Sequence, residues 1–180
     1  IGIVLAVAMV VWGWSNLLAN YQKERIIGLL YPERDPLGAN YNVIQSKIAI
    51  GSGGWLGKGF QQGTQAQLGF LPEAHNDFIF ATIIEEWGIV GGAVVVGAMM
   101  ILLLCIAAIG LSAQHNFARL LCLGAMIVLL LHVMFNVGSA TGLLPVVGVP
   151  LSLVSYGGSN IIAIFLLIGI IQSIALRESF

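Results

Sequence analysis

Charged residues are scarce in this chain. Of its 180 residues, 8% are Asp, Glu, Lys or Arg and 58% are hydrophobic. Globular domains carry about a quarter charged residues, so this composition argues against a water-soluble domain and is typical of a membrane protein. Seven basic residues against eight acidic ones leave a net charge of -1, and no basic excess points to a nucleic-acid partner.

Familiar metal and nucleophile patterns are also missing. The two cysteines, Cys105 and Cys122, lie in apolar runs, which is more typical of packing than of a disulfide. The three histidines are far apart in sequence, and no HExxH, paired-Cys, G-x-S-x-G or P-loop spacing occurs. The sequence therefore identifies no cofactor, and the need for a divalent metal stays open. The chain begins without Met or a charged leader, so we expect it to start partway through a larger protein.

Four apolar stretches of sufficient length predict transmembrane helices in an all-α, polytopic membrane protein. The predicted spans are 1–20, 77–111, 120–137 and 161–177. The segments between and after them are a long polar loop at 21–76, a short loop at 112–119, a Gly/Pro-rich loop at 138–160 and a tail at 178–180. Prolines, glycines and apolar anchors predict that the long loop is ordered. The Gly/Pro-rich loop is suited to a re-entrant position.

The few charges are concentrated in one region. Nine of the fifteen charged residues lie in 21–76, and Asp77 follows directly. Five Lys or Arg residues lie on the side of this loop and two on the other, so the positive-inside rule would place the loop in the cytoplasm. The same charges could instead serve a functional site at the membrane surface.

The segment Leu-Pro-Glu-Ala-His-Asn-Asp-Phe at 71–78 carries the first candidate site. Asn76 or Asp77 is where a helix N-cap is expected, and a capping carboxylate is stabilised by the helix dipole. Alternatively, Asp77 could accept a proton from a substrate hydroxyl as a general base, with Glu73 and His75 beside it. The residues alone leave both alternatives open.

Two lysines flank glycine-rich segments of the long loop. Lys47 and Lys58 could bind phosphate, because glycines let backbone N–H groups approach an anion while a lysine supplies charge. They could equally be solvated loop lysines. Within the predicted spans, Glu85, His132 and Asn136 are either hydrated or hydrogen-bonded within the bundle, or they line a substrate path.

A set of ordered motifs covering essentially the whole chain resembles the SEDS family. The matching segments are 35–38, 45–54, 57–59, 63–65, 70–80, 85–86, 136–138, 142–151 and 155–159. Within the family, segment 63–65 looks more like RodA, the elongation branch, than FtsW, the division branch. The chain departs from the family pattern at Asn76, where Thr is usual, at Ser152, where Pro is usual, and at Asn160, where Ser or Thr is usual.

The resemblance implies a peptidoglycan glycosyltransferase of the bacterial cytoplasmic membrane that polymerises lipid II during cell elongation and shape maintenance. It implies a class B penicillin-binding protein as partner and a ten-span fold, of which this chain has the last four spans. It also places the long loop outside the cell, against the charge count. The family's catalytic aspartate falls on Asp77, as base in an inverting reaction. Lys47 and Lys58 then become candidates for holding pyrophosphate, and Glu73 and His75 become neighbours of the base.

Two functions of other classes stay open. A transporter of lipid-linked precursors would use Glu85, His132 and Asn136 as a polar path through the bundle. A non-enzymatic scaffold would position a penicillin-binding protein without forming polymer.

Overall fold

All regular secondary structure in the described part of the chain is helical. The computed structural model describes residues 19–30, 40–72, 74 and 76–178, which form six helices and no strand. The helices are α1 (Asn20–Leu30), α2 (Tyr41–Gly53), α3 (Thr64–Gln67), α4 (Ile79–Ser112), α5 (Asn116–Thr141) and α6 (Gly158–Glu178). Helices α4, α5 and α6 are long and apolar enough to cross a membrane. The predicted polytopic helical class is confirmed, and the predicted span at 1–20 lies almost entirely outside the described residues.

Helix α4 is a single element with one break, at Gly88. The backbone angles there are φ 71° and ψ -173°. A Cβ atom at Gly88 would lie 2.2 Å from the carbonyl oxygen of Trp55, so both the conformation and the close approach require glycine. After the break, the 23 residues from Ile89 to Leu111 extend about 35 Å, which is enough for the roughly 30 Å hydrocarbon core of a bilayer.

Helix α5 is longer than the predicted span at 120–137, because polar residues at its end stay helical. Ser139 Oγ donates to Asn136 O at 3.1 Å, and Thr141 Oγ1 donates to Val137 O at 2.9 Å. Hydroxyls that bond to the preceding turn in this way can remain within a helix. The predicted loop at 112–119 is therefore only 113–115, and the predicted loop at 138–160 is only 142–157. Helix α6 correspondingly begins at 158 rather than 161.

The predicted loop at 21–76 contains three of the six helices, so most of its described part is regular structure. Helix α2 packs on both α4 and α5: Ser46 Oγ donates to Ala140 O at 2.7 Å, and a Cβ at Gly53 would lie 2.0 Å from Ile84 O. These contacts enclose a buried cluster of residues from the loop and both helices. Its members are Ala49, Leu71, Ala74, Phe78, Phe80, Ala81, Ile84 and Ala140.

The Gly/Pro-rich loop at 142–157 runs back along α5. Asn136 Nδ2 donates to Val149 O at 3.2 Å, and His132 Nδ1 lies 2.6 Å from Ser152 Oγ. Since His132 is nine residues before the end of α5, the loop descends about 14 Å along that helix. Ser152, which departs from the usual Pro, is itself buried and has the half-buried His132 as its hydrogen-bond partner. This path agrees with the re-entrant shape predicted for the loop.

Replacing Gly88 with alanine should destabilise the protein by about 2 kcal/mol or more, because alanine is strained at positive φ and its Cβ would collide with Trp55 O. Gly97, in the same helix, has no atom within 4 Å of its Cβ position, so Gly97→Ala should be neutral or stabilising by up to about 1 kcal/mol. Unfolding of both variants in one detergent measures the difference. Equal stability of the two variants would contradict the proposed backbone constraint.

Candidate active site

The backbone around Asp77 is held by side chains from other parts of the fold. Asn136 Nδ2, on α5, donates to Asp77 O at 3.1 Å. Thr82 Oγ1, one turn into α4, donates to Ala74 O at 3.2 Å. Asn136 is fully buried, so no water competes for its hydrogen bonds. The turn that carries Asp77 is therefore fixed at both ends.

A third anchor comes from the Gly/Pro-rich loop. Ser155 Oγ donates to Asn76 O at 2.8 Å and accepts from the backbone N–H of Leu151 at 2.8 Å. Ser155 is 1% exposed. The N-cap position of α4 is Phe78, so the expected cap at Asn76 or Asp77 is wrong by at least one residue. The position of Asp77 therefore depends on these tertiary contacts.

The carboxylate of Asp77 faces the Gly/Pro-rich loop, and so does Lys47. A Cβ at Gly148 would lie 3.5 Å from Asp77 Oδ2, and one at Gly142 would lie 2.2 Å from Lys47 Cε. Gly142 has φ +70°, a conformation that favours glycine, and the end of the Lys47 side chain lies directly over it. Asp77 and Lys47 thus contact the same loop, at two glycines that are six residues apart in sequence.

A cavity of about 250 Å³ lies beside Lys47, between α1, α2 and the same loop. Arg25 lines it from α1, and its guanidinium donates to the carbonyl of Val146. Asn40 and Asn42 add amide groups to the wall. Two cations and two amides at one cavity suit an anionic ligand such as a phosphate.

Lys58 lies in a different environment from Lys47. Its Nζ is 2.8 Å from Oε1 of Glu85, which is 0% exposed. The same carboxylate accepts from Thr64 Oγ1 at 3.1 Å and from the backbone N–H of Gln65 at 3.0 Å. The charge of Lys58 is therefore balanced inside the protein, and a buried carboxylate with these donors is well satisfied.

Backbone bonds join the loop of Lys58 to α4 at its break. Gly54 O and Trp55 O accept from the N–H groups of Ile89 and Val90 at 2.9 and 3.3 Å. In return, the N–H groups of Lys58 and Gly59 donate to the carbonyls of residues 85 and 86 at 2.9 and 3.0 Å. In an unbroken helix these four helical groups would pair with one another. Segment 54–59 is thus inserted into the hydrogen-bond ladder of α4.

The structure groups the predicted site residues differently from the expectation. Lys47 contacts the loop that Asp77 faces, whereas Lys58 forms an ion pair with Glu85. Glu73 and His75 lie outside the described residues. Within the described ranges, no group of three or more His, Cys, Asp or Glu side chains could hold a metal ion.

Sequence reasoning missed two of the contributing charges. Arg25 was counted only as a loop charge, and its partner Val146 is 121 residues away, so no local pattern could link them. Glu85 was singled out as polar, but its pairing with Lys58 was not foreseen. The available signal was a Gly-Lys-Gly turn together with a carboxylate in a predicted span, since such a carboxylate needs a partner.

These features define a polytopic helical membrane protein with an acidic group framed at the junction of a long loop and a spanning helix. Residues 1–179 match the model of the FtsW, RodA and SpoVE family, described as cell cycle protein. The chain belongs to this family, as its motifs predicted.

Known relatives agree with this assignment. The chain is 49% identical over 174 residues to the peptidoglycan glycosyltransferase MrdB of Escherichia coli K12, covering 97% of this chain and 47% of that protein. It is 40% identical over 163 residues to the peptidoglycan glycosyltransferase RodA of Treponema pallidum, covering 91% of this chain and 38% of that protein. The chain also superimposes on a chain of a peptidoglycan synthase complex that coordinates polymerisation and crosslinking, with a TM-score of 0.73 and 35% identity. The match covers 98% of this chain and 47% of that chain. The chain thus spans about half the length, or less, of these relatives.

A double-mutant cycle tests the buried ion pair. Lys58→Met should lower the free energy of unfolding by about 3 kcal/mol, because it leaves the Glu85 carboxylate buried without its counter-charge. Glu85→Gln should also lower the free energy of unfolding. The loss in the double variant should be smaller than the sum of the two single losses by at least about 1 kcal/mol.

Thr64→Val serves as the matched control, because it removes the hydrogen bonds of the Thr64 hydroxyl to Glu85 and from Lys58 but no charge, at about 1 kcal/mol per bond. Strictly additive effects of the Lys58 and Glu85 substitutions would show that the two side chains do not interact.

Proposed function

We propose that this chain supplies the acceptor-activating part of a peptidoglycan glycosyltransferase that polymerises lipid II during cell elongation. Two of the relatives named above are peptidoglycan glycosyltransferases by name, which supports the reaction class. The observation that carries the proposal is the frame of Asp77: buried side chains from α5 and the Gly/Pro-rich loop hold its backbone while its carboxylate faces that loop. Rigid placement of a base is what a proton transfer in the transition state requires.

In the proposed reaction, Asp77 accepts the proton of the acceptor sugar hydroxyl. The hydroxyl oxygen forms a bond to the anomeric carbon of the donor, and the bond from that carbon to the lipid diphosphate breaks with its electron pair. The configuration at the anomeric carbon inverts.

The cavity beside Lys47 fits the diphosphate of the donor. Arg25 and Lys47 both line it, and electrostatic stabilisation of a departing diphosphate needs cations fixed in advance. Lys58 was an equal candidate on sequence alone. Its ion pair with Glu85 makes it a structural residue in this proposal, which leaves Lys47 and Arg25 with the diphosphate.

We further propose that the site faces the outside of the cytoplasmic membrane and works beside a class B penicillin-binding protein. Three of the five positive charges that suggested a cytoplasmic loop have a structural partner or line a cavity: Lys58 pairs with Glu85, and Arg25 and Lys47 line the cavity. Charges retained for such reasons are weak evidence of orientation. The similarity to a synthase complex that coordinates polymerisation and crosslinking supports a crosslinking partner.

The transporter alternative is disfavoured by the bonding of its proposed path. Glu85 is paired with Lys58, His132 contacts Ser152, and Asn136 holds two backbone carbonyls. All three side chains join neighbouring segments of the protein, which is a structural role.

Kinetics of the complete protein with its partner test the assignment of the base. Asp77→Asn keeps the size and shape of the side chain but removes its basicity, so kcat for polymerisation should fall by at least about 100-fold. A folded Asp77→Asn protein with wild-type turnover would overturn the proposal. Partner binding without polymer from any wild-type preparation would instead favour a scaffold.

The same assay separates the two lysines. Lys47→Gln should raise KM for lipid II about tenfold, because it removes a charge from the diphosphate cavity, and Lys47→Arg should restore most of the affinity. Lys58→Gln should lower stability and leave KM of the folded fraction near the wild-type value. The reverse assignment of effects would contradict the placement of the diphosphate.

A further inference from the structure

An exposed apolar surface lies at the tip of the segment inserted into α4. It consists of Trp55, Leu56, Phe60 and Trp87, which we call the aromatic patch. Their exposed fractions are 74%, 82%, 68% and 57%. Large aromatic side chains at such exposure mark an interaction surface, because they would be unfavourable in water.

The members of the patch are held together by the fold. The rings of Phe60 and Trp87 meet edge to face, with centroids 6.3 Å apart. The backbone of Trp55 is bonded to Val90 across the helix break. The patch is therefore a defined surface, attached to α4 where its apolar run begins.

The patch continues into the apolar outer face of α4. Ile89 and Val90 follow Trp87 after Gly88 and are about half exposed. Val94, Ile101 and Leu104 extend the exposed apolar surface further along the helix. Because the run from Ile89 to Leu111 matches the thickness of the hydrocarbon core, Trp87 lies at the edge of that core. Tryptophan is enriched at this depth, where its ring is apolar and its N–H can still reach water.

The charged groups near the aromatic patch are compatible with contact to lipid. Lys58 is the only charged residue in 54–63, and its ammonium group is paired with the buried Glu85. Segment 54–63 can therefore enter an apolar environment without desolvating an unpaired charge, while the half-buried Glu86, directly before Trp87, stays at the depth of the headgroups.

We propose that the aromatic patch inserts into the headgroup and upper acyl region of the bilayer leaflet on the side of the long loop. Its partner is a lipid surface. The loop between the first two predicted spans is then anchored in the membrane at its tip as well as through α4, and the Lys58–Glu85 pair lies just above the hydrocarbon core.

Depth-dependent fluorescence quenching of the complete protein in lipid nanodiscs tests this. Two single-tryptophan proteins retain Trp55 or Trp87, with all other tryptophans replaced by phenylalanine. A phospholipid with a nitroxide near the top of its acyl chain should quench each at least about twice as strongly as one labelled near the chain end. Iodide in the aqueous phase should quench each at most about one third as strongly as it quenches free N-acetyltryptophanamide.

Met100→Trp in a protein without other tryptophans calibrates depth, because residue 100 is half exposed near the middle of the apolar run and should show the opposite lipid profile. Strong iodide quenching with weak lipid quenching at Trp55 and Trp87 would place the patch in water and overturn the proposal. Weak quenching by both agents would show that protein covers the patch, from another part of the molecule or a partner, and would overturn it equally.

Discussion

The buried carboxylate of Glu85 is the interaction on which the arrangement of the long loop depends. Glu85 lies three residues before the break in α4. Its carboxylate accepts hydrogen bonds from the ammonium of Lys58, the hydroxyl of Thr64 and the backbone amide of Gln65. Around it, four backbone bonds join segment 54–59 to the helical groups that the break leaves unpaired. A buried carboxylate without these donors would be strongly unfavourable, so the loop and the helix stabilise each other.

The candidate site lies at the other end of the part of α4 that precedes the break at Gly88. Asp77 precedes α4 by two residues, and its backbone is held by Asn136 from α5 and, through Asn76, by Ser155 from the Gly/Pro-rich loop. That loop in turn lies against Lys47. The first turns of α4 are therefore fixed at both ends, by neutral hydrogen bonds near the acid and by an ion pair near the break. This frame holds the acidic side chain that we propose as the base, and the Gly/Pro-rich loop that it faces also borders the cationic cavity.

Much of the fold could be predicted from the sequence, because long apolar runs leave few alternatives to spanning helices. The family motifs likewise indicated Asp77. What could not be predicted depends on contacts between distant residues: Lys58 and Glu85 are 27 residues apart, and Arg25 and Val146 are 121 apart. The helix ends were also predicted too short, because hydroxyls such as those of Ser139 and Thr141 bond to their own helix and need no water. A lysine beside glycines predicts an anion site equally well at Lys47 and Lys58, and only the fold distinguishes them.

Hydrogen exchange of the Glu85→Gln protein tests most directly whether this carboxylate holds the loop to α4. The amides of Lys58, Gly59 and Gln65 all donate to residues 85 or 86, so they should exchange at least about tenfold faster than in the wild type. Amides in the middle of α5 should be unchanged. Unaltered protection of residues 58, 59 and 65 in a folded variant would contradict the account, because it would show that the loop keeps its place without the charge of Glu85.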